Sequence, residues 1–252
     1  MTAALDAAVA AAEAAGDLIR RRFGSVLTVR DKGVADIVTE VDQASERLIR
    51  RRLARTGLPV LGEEEGGGEG AERLWIVDPL DGTVNFAHGY PVFSVSIALV
   101  DKGRPLVAVV HDPTRRETFR AERGRGAWLG NKRLRVTRRK RLIESLLSTG
   151  FSYQRGKLLD LSLKRFRRFH HAARAVRRPG SAAIDLAYVA AGRFDGFWET
   201  GLKPWDVAAG WLLVEEAGGR VTDYAGRPYH VGTADILASN GLLHGAMRRA
   251  LT

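Results

Sequence analysis

The chain has no cysteine among its 252 residues and only six histidines. The lack of cysteine excludes disulfides, thiolate metal sites and a cysteine nucleophile. The histidines show no paired spacing of the kind that zinc sites use, which argues against zinc. A chain without cysteine is most simply explained by a cytoplasmic location, and we expect one.

Long apolar runs are also missing. No stretch approaches the roughly 18 consecutive apolar residues of a membrane span. The alanine-rich start, residues 2–23, lacks a basic first segment and is interrupted by Asp6, Glu13 and Asp17. These features predict an amphipathic helix rather than a signal peptide. We therefore expect no membrane partner.

Basic charge, in contrast, is in excess: the formal net charge is +11. Such a surface attracts phosphate-bearing partners, either nucleic acid or small anionic substrates. The alternative is a surface that favours arginine without any binding role. The clusters lack the interleaved aromatic residues that accompany many nucleic-acid-binding motifs, which supports this alternative. The clusters are residues 20–22, 50–52, 138–141, 164–168 and 177–178.

The pattern of apolar residues predicts an ordered series of helices and strands. The first half reads as helix plus largely antiparallel sheet, and the second half alternates helix and strand. We therefore expect one layered α/β domain of the α+β type over residues 1–252, with lobes of about 1–140 and 141–252. The predicted helices are 2–23, 39–56, 156–172, 181–192, 203–219 and a C-terminal one; the main predicted strands are 73–79, two within 92–113, 142–149, 193–200 and 235–240.

Acidic residues stand at the ends of several predicted elements. Asp42 lies in the first turn of the second helix, and Glu63 follows a short strand. Asp78 and Asp81 follow a longer strand, and Asp206 lies in the first turn of a later helix. Hard divalent cations take oxygen ligands and keep waters and substrate phosphates in their shell. The pattern therefore predicts a magnesium site.

The segment "DPLDGT", residues 78–83, has a composition that suits such a site. Pro79 stiffens the turn, so both carboxylates can point into one pocket, and the Leu80 main-chain oxygen between them can be a further ligand. Gly82 lets the backbone approach a ligand closely. If Thr83 opens a short helix, the amides of Gly82 and Thr83 form a phosphate nest, and the Thr83 hydroxyl can orient a water. Two cations there would favour hydrolysis of a phosphate ester, whereas the alternative is an ordinary Asx turn.

Five segments together resemble the inositol monophosphatase family of lithium-sensitive, magnesium-dependent phosphatases. They occur in order over nearly the whole chain, and "FWETGLKPWD", residues 197–206, resembles the bacterial branch of the family. The resemblance implies a layered αβαβα sandwich that is usually dimeric. The segments are "DIVTEVD" (36–42), "GEE" (62–64), "WIVDPLDGTVNF" (75–86), "GSAAIDLAYVAAGRFDGFWE" (180–199) and "WDVAAGWLLVEEAGG" (205–219).

The resemblance also implies how the metals are held. Glu63, Asp78 and the Leu80 carbonyl would bind one magnesium. Asp78, Asp81 and Asp206 would bind a second. Glu63 would further act in catalysis by placing a third, weaker ion through waters.

Roles for the reacting groups follow from the same likeness. Thr83, with Asp42 behind it, would activate the attacking water, and the amides of Gly82 and Thr83 would bind phosphate. The alcohol side of the substrate would be lined by Gly180, Ser181, Ala182 and Glu199.

The expected activity is therefore a magnesium-dependent phosphomonoesterase acting on inositol 1-phosphate or a similar small sugar or polyol phosphate. Fructose 1,6-bisphosphate, histidinol phosphate and nucleotide substrates of the same superfamily are the alternatives. The basic clusters and the bacterial-branch likeness leave open an additional role in binding RNA or the transcription machinery.

Overall fold

The computed structural model describes residues 2–25, 28–31, 33, 37–151 and 156–251. Asp36, the first residue of one motif, lies outside the described residues. The helices are α1 (Ala3–Arg22), α2 (Glu40–Leu53), α3 (Thr83–Ala87), α4 (Lys157–Ala172), α5 (Ala182–Ala190), α6 (Pro204–Glu216) and α7 (His244–Leu251). The strands are β1 (Val29–Asp31), β2 (Ile37–Thr39), β3 (Val60–Gly62), β4 (Arg73–Asp81), β5 (Ser94–Asp101), β6 (Arg104–Asp112), β7 (Glu117–Glu122), β8 (Gly126–Leu129), β9 (Lys132–Arg133), β10 (Leu146–Thr149), β11 (Ala175–Arg177), β12 (Gly196–Thr200), β13 (Arg220–Thr222) and β14 (Asp235–Ser239).

Two sheets form the frame of the described structure. The larger has seven strands in the order β3-β4-β5-β6-β7-β8-β9 and is antiparallel except for the parallel pair β3–β4. The smaller has five strands in the order β11-β10-β12-β14-β13, with β10 parallel to both neighbours. A short antiparallel pair, β1–β2, precedes α2.

The helices alternate with the sheets to give five layers. α1 and α2 cover one face of the seven-stranded sheet, and α5 and α6 cover its other face. The same two helices contact the five-stranded sheet, whose far side is covered by α4 and α7. The predicted αβαβα sandwich is thus confirmed. Among the described residues, no helix combines the length and apolar content needed to cross a bilayer.

Alternation along the strands explains why the central sheet reads as continuous apolar runs. In β5, Val95, Ile97 and Leu99 pack into the core beneath α1 and α2, whereas Ala98 and Val100 pack into the core beneath α5 and α6. A strand covered on both faces can place apolar residues at every position. A third core, which includes Phe169 and Trp198, lies between the five-stranded sheet and α4 with α7.

Several helices and strands are shorter in the structure than the sequence predicts. The predicted helix 39–56 ends at Leu53 and continues as a 3-10 turn, Ala54–Thr56. The predicted strand 142–149 begins with a 3-10 turn, Leu142–Glu144, and only Leu146–Thr149 pairs. The predicted strand 193–200 begins at Gly196, because Tyr188 O accepts the backbone N–H groups of residues 193 and 194 at the end of α5. The lobe boundary near residue 140 stays a prediction.

Candidate active site

The bulge at the end of β4 determines where two of the predicted metal ligands point. Leu74 and Ile76 face the α5–α6 layer, so Asp78 continues that face. In a regular strand Asp81, three positions on, would face the opposite side. The pairing with β5 shifts between Asp78 and Asp81, and Leu80 packs into the opposite core. The bulge therefore returns Asp81 to the side of Asp78.

Asp81 lies against the N-terminus of α5. Its Oδ2 accepts hydrogen bonds from Ser181 Oγ at 2.6 Å and from the backbone N–H of Ala183 at 2.8 Å. Burial raises the pKa of Asp81 to about 6, while these bonds and the backbone N–H of Ala182 act in the lowering direction. The Ser181 hydroxyl also caps α5 by accepting the Ile184 N–H at 3.4 Å. Ser181 thus fixes the Asp81 carboxylate against the start of α5.

Asp78, Asp206 and Glu63 bring further negative charge to the same place. Burial raises the pKa of Asp78 well above its usual range, and the charges of Glu63, Asp81 and Asp206 add to the effect. Burial, followed by the charge of Asp81, raises the pKa of Asp206 in the same way. Like charges forced together in a buried place favour a bound cation. The donor set, all oxygen, suits magnesium.

These acids do not form a closed metal cage by themselves. In the described part of the chain, no group of three or more acidic or histidine side chains has the geometry of a metal-ligand set. Magnesium usually takes one or two carboxylates and completes its octahedron with waters and substrate phosphate oxygens. The magnesium ligand set implied by the family likeness therefore stays a prediction.

Thr83 and Asp42 are joined directly, although 41 residues separate them. Thr83 Oγ1 lies 2.8 Å from Asp42 Oδ1 and 3.0 Å from the Leu80 carbonyl oxygen. The other Asp42 oxygen accepts the Thr39 N–H at 2.9 Å and the Thr39 hydroxyl at 2.6 Å. Burial raises the pKa of Asp42, against the effect of these hydrogen bonds. The pair therefore holds the Thr83 hydroxyl beside the Leu80 carbonyl.

Gly82 has the conformation that its predicted role requires. It precedes α3 with φ +94°, and a Cβ there would lie 2.9 Å from the Val92 carbonyl oxygen. Both facts favour glycine. Thr83 opens α3, as the phosphate-nest prediction needed.

A cavity of about 450 Å³ gathers predicted residues from both halves of the chain. Asp42, Asp78, Leu80, Gly82 and Thr83 are not in its wall. The predicted residues in the wall are Glu63, Asp81, Gly180, Ser181, Ala182, Glu199 and Asp206.

Glu199 lies in this wall with its side chain almost entirely buried. Burial raises the pKa of Glu199 to about 8, and the charges of Asp206 and Asp81 contribute, whereas Arg178 acts in the opposite direction. A Cβ on Gly150 would lie 2.2 Å from Glu199 Oε2, so the carboxyl packs directly against the Gly150 backbone. In the metal-free protein, burial therefore favours the protonated form of Glu199, which can donate as well as accept a hydrogen bond.

Sequence reasoning missed two residues that shape this site. Asn85 Nδ2 donates to the carbonyls of Val92 at 2.7 Å and Pro179 at 2.9 Å, which fixes the segment carrying Gly180. Asp185 is buried in the cavity wall, and burial followed by the charge of Glu199 raises its pKa well above the usual range. Asparagine in a short helix and an acid in the first turn of α5 are ordinary patterns, so the sequence held no distinctive signal for either.

Comparison with known proteins identifies the family. The model of the inositol monophosphatase family matches residues 1–252. The Nus factor SuhB of Pseudomonas aeruginosa is 50% identical over 247 residues, covering 94% of this chain and 91% of that protein. An inositol-1-monophosphatase of Synechocystis is 45% identical over 252 residues, covering 98% and 88%.

Solved structures agree with these sequence matches. The extragenic suppressor protein SuhB of Bartonella henselae superposes with a TM-score of 0.94 at 42% identity, covering 100% of this chain and 99% of that one. An IMPase of Thermotoga maritima superposes with a TM-score of 0.91 at 39% identity, covering 98% and 96%. The sequence motifs, the five-layer fold and these likenesses agree: the chain belongs to the inositol monophosphatase family of phosphatases.

Proposed function

We propose that this chain is a magnesium-dependent phosphomonoesterase that hydrolyses inositol 1-phosphate or a similar small polyol phosphate. The observation that carries the proposal is that Glu63, Asp81 and Asp206 line a cavity large enough for such a substrate, and that their charges raise the pKa of the neighbouring Asp78. The relatives named inositol-1-monophosphatase support the substrate class.

The acids divide between two cation positions. Glu63, Asp78 and the Leu80 carbonyl would hold one magnesium, and Asp78, Asp81 and Asp206 would hold the second. Bound magnesium would lower the pKa of the attacking water and stabilise the leaving oxygen. Asp78 belongs to both sets, consistent with the charges of both Glu63 and Asp206 raising its pKa.

The neighbouring residues orient the reactants. The Thr83 hydroxyl, hydrogen-bonded to Asp42, directs the water. Glu63 would help to place a third, weaker ion through waters. The backbone N–H groups of Gly82 and Thr83 bind the phosphate at the start of α3. Phosphate then transfers to water directly, without a phosphoenzyme.

The remaining wall recognises the alcohol. Gly180, Ser181 and Ala182 shape it, and Glu199 hydrogen-bonds the hydroxyls of the substrate. A buried carboxyl in this wall suits a neutral polyol better than a second phosphate, because a carboxyl hydrogen-bonds hydroxyls and, when charged, repels an anion. Fructose 1,6-bisphosphate, histidinol phosphate and nucleotides remain the alternative substrates.

A phosphate-release screen tests the proposal. Inositol, sugar, histidinol and nucleotide phosphates are each supplied with and without magnesium. We expect release that requires magnesium, that is greatest with inositol 1-phosphate, and that is lost in Asp81→Asn. Equal release in a chelator, or full activity in Asp81→Asn, would refute the metal assignment.

A second role, in contact with RNA or the transcription machinery, is proposed from the basic surface and from the relative that is named a Nus factor. Arg21, Arg51 and the segment 138–141 are exposed, whereas Arg50 of the second cluster is mostly buried in an ion pair with Glu46. Binding to a structured RNA should fall steeply as salt rises. No binding at low salt would exclude this role.

Assembly and location complete the proposal: a homodimer in the cytoplasm. Light scattering on the purified chain tests the assembly, and a monomeric mass at micromolar concentration would contradict it.

A further inference from the structure

A buried carboxylate on α2 lies directly beneath the loop that carries Glu63. Glu46 stands one helical turn after Asp42 and has no solvent exposure. Its Oε2 accepts the backbone N–H of Glu64 at 2.8 Å, and its Oε1 accepts that of Glu65 at 3.0 Å. A buried charge must be fully hydrogen-bonded, and here the partners are the two residues that follow Glu63.

Arg50, one turn further along α2, completes this arrangement. Its Nε donates to Glu46 Oε1 at 2.9 Å, and its terminal nitrogens donate to the carbonyls of Val60 at 3.1 Å and Gly66 at 2.5 Å. A guanidinium offers its donors in a rigid plane, so these bonds fix direction as well as distance. Glu46 and Arg50 thus hold the segment 60–66 at both ends and along its backbone.

The glycines of this segment show how closely it approaches the helix. A Cβ on Gly62 would lie 2.1 Å from Glu46 Oε1, so no larger residue fits there without displacing the carboxylate. Gly66, at φ +62°, closes the loop by accepting the Gly62 N–H at 3.0 Å. The Glu63 N–H is held by the Val77 carbonyl at 3.2 Å, next to Asp78.

The same stretch of α2 contacts the other parts of the site. Asp42 holds the Thr83 hydroxyl, and Ser45 Oγ donates to the Pro79 carbonyl at 2.8 Å within the β4 bulge. One rigid helix therefore sets the relative positions of the Glu63 loop, the bulge and the start of α3.

We propose that Glu46 is a positioning residue that, with Arg50, fixes the Glu63 loop and so sets the affinity of the site for its divalent cation. The proposal rests on the metal-dependent function proposed above. Ligands held in place before the ion arrives lose less freedom on binding, and residues that hold metal ligands typically change metal affinity about 10–100-fold when they are replaced.

The test is Glu46→Gln in the full chain. The amide keeps the volume but turns one acceptor into a donor that faces a backbone N–H. Calorimetric titration with Mn²⁺ should show a dissociation constant about 10–100-fold higher. Phosphate release at saturating metal should stay within a few-fold of wild type, and amide hydrogen exchange over residues 62–66 should accelerate.

Asp195→Asn is the matched control. Asp195 is also buried, accepts the Leu146 N–H at 2.7 Å, pairs with Arg139 and lies outside the cavity wall. It should lose thermal stability and keep its Mn²⁺ affinity. A merely structural Glu46 would behave like this control, so unchanged Mn²⁺ affinity in Glu46→Gln would overturn the proposal.

Arg50→Lys provides the test if Glu46→Gln does not fold. It keeps the charge and loses the planar set of donors, so Mn²⁺ should bind several-fold more weakly, and wild-type affinity would overturn the proposal. A wild-type chain that binds no Mn²⁺ and releases no phosphate would overturn the proposed function as well. An active wild type with an unaffected Glu46→Gln overturns only this inference.

Discussion

Replacing Glu199 by glutamine should stabilise the protein, and increasingly so as the pH rises. The unfolded chain releases the Glu199 proton near the ordinary value of 4.5, whereas the folded protein keeps it until about pH 8. Between these values the folded state binds more protons than the unfolded state, so its stability falls as the pH rises. Glutamine does not titrate and is free of this loss.

The size of the effect follows from the shift. One unit of pKa is about 1.36 kcal/mol, so Glu199 destabilises the folded state by about 1 kcal/mol at pH 5 and about 4 kcal/mol at pH 8. No allowance for solvent screening is needed because only 7% of the residue is exposed. The advantage of Glu199→Gln should thus grow by about 3 kcal/mol over this range, or about 6–12 °C in melting temperature for a chain of this length.

Urea unfolding at pH 5 and pH 8, in a chelator, measures this difference. Glu144→Gln, which removes a surface carboxyl ion-paired with Arg141 at 3.1 Å, should change stability by less than about 1 kcal/mol at either pH. Adding magnesium should shrink the Glu199 effect, because cations neutralise Asp206 and Asp81, two of the charges that raise its pKa. A stability advantage that is the same at both pH values would refute the reasoning.

Three further substitutions test separate parts of the site. Asp81→Asn should lower magnesium-dependent phosphate release by more than about 100-fold, since even residues behind metal ligands cost about 10–100-fold in affinity or activity; full turnover would contradict its role as a ligand. Gly82→Ala should lower the free energy of unfolding, measured in urea, by about 1–3 kcal/mol, because alanine would be strained at φ +94° with its Cβ against the Val92 carbonyl. Wild-type stability would show that the turn adapts. Trp198→Ala should lower the free energy of unfolding by about 3–5 kcal/mol, since the indole stacks on Phe169 in the third core with ring centroids 3.9 Å apart. The variant should keep its Mn²⁺ affinity. A large loss of metal binding would place the ring in the site instead.

The parts of the fold that the sequence predicts are those where local pattern and burial agree. The two long strands of residues 92–113 appear as expected, and the turn that joins them has Lys102 and Gly103 at positive φ. The short edge strand Ala175–Arg177 was not predicted, because three residues carry no usable periodicity.

The candidate site shows the same division. The composition of "DPLDGT" predicts that Asp78 and Asp81 point into one pocket, because Pro79 stiffens the turn between them. In the structure a bulge within β4, whose register is set by pairing with β5, turns both side chains to the same side of the sheet. The strand that pairs with this segment is distant in sequence and leaves no mark on the segment itself, so its composition does not predict the bulge.

Residues whose partners are distant in sequence could not be assigned from local sequence patterns. Arg50 reads as part of an exposed basic cluster, yet it lies under the Glu63 loop, 16 residues away from its partner Gly66. Glu46 reads as the polar face of an amphipathic helix. The contacts of both residues with the Glu63 loop become evident only in the three-dimensional structure, where α2 packs against that loop.

The fold concentrates negative charge in one place by setting the acids at helix N-termini. Asp42 accepts the Thr39 N–H before α2, Asp81 accepts the Ala183 N–H in α5, and Asp206 accepts the Lys203 N–H at 2.6 Å before α6. The partial positive charge at each terminus offsets part of the repulsion. Burial outweighs this effect, because it raises the pKa values of all three acids, and at Asp206 the charge of Asp81 adds to it. A bound cation would relieve the repulsion at Asp206, so the charges that disfavour the metal-free site would contribute to its affinity for the proposed metal.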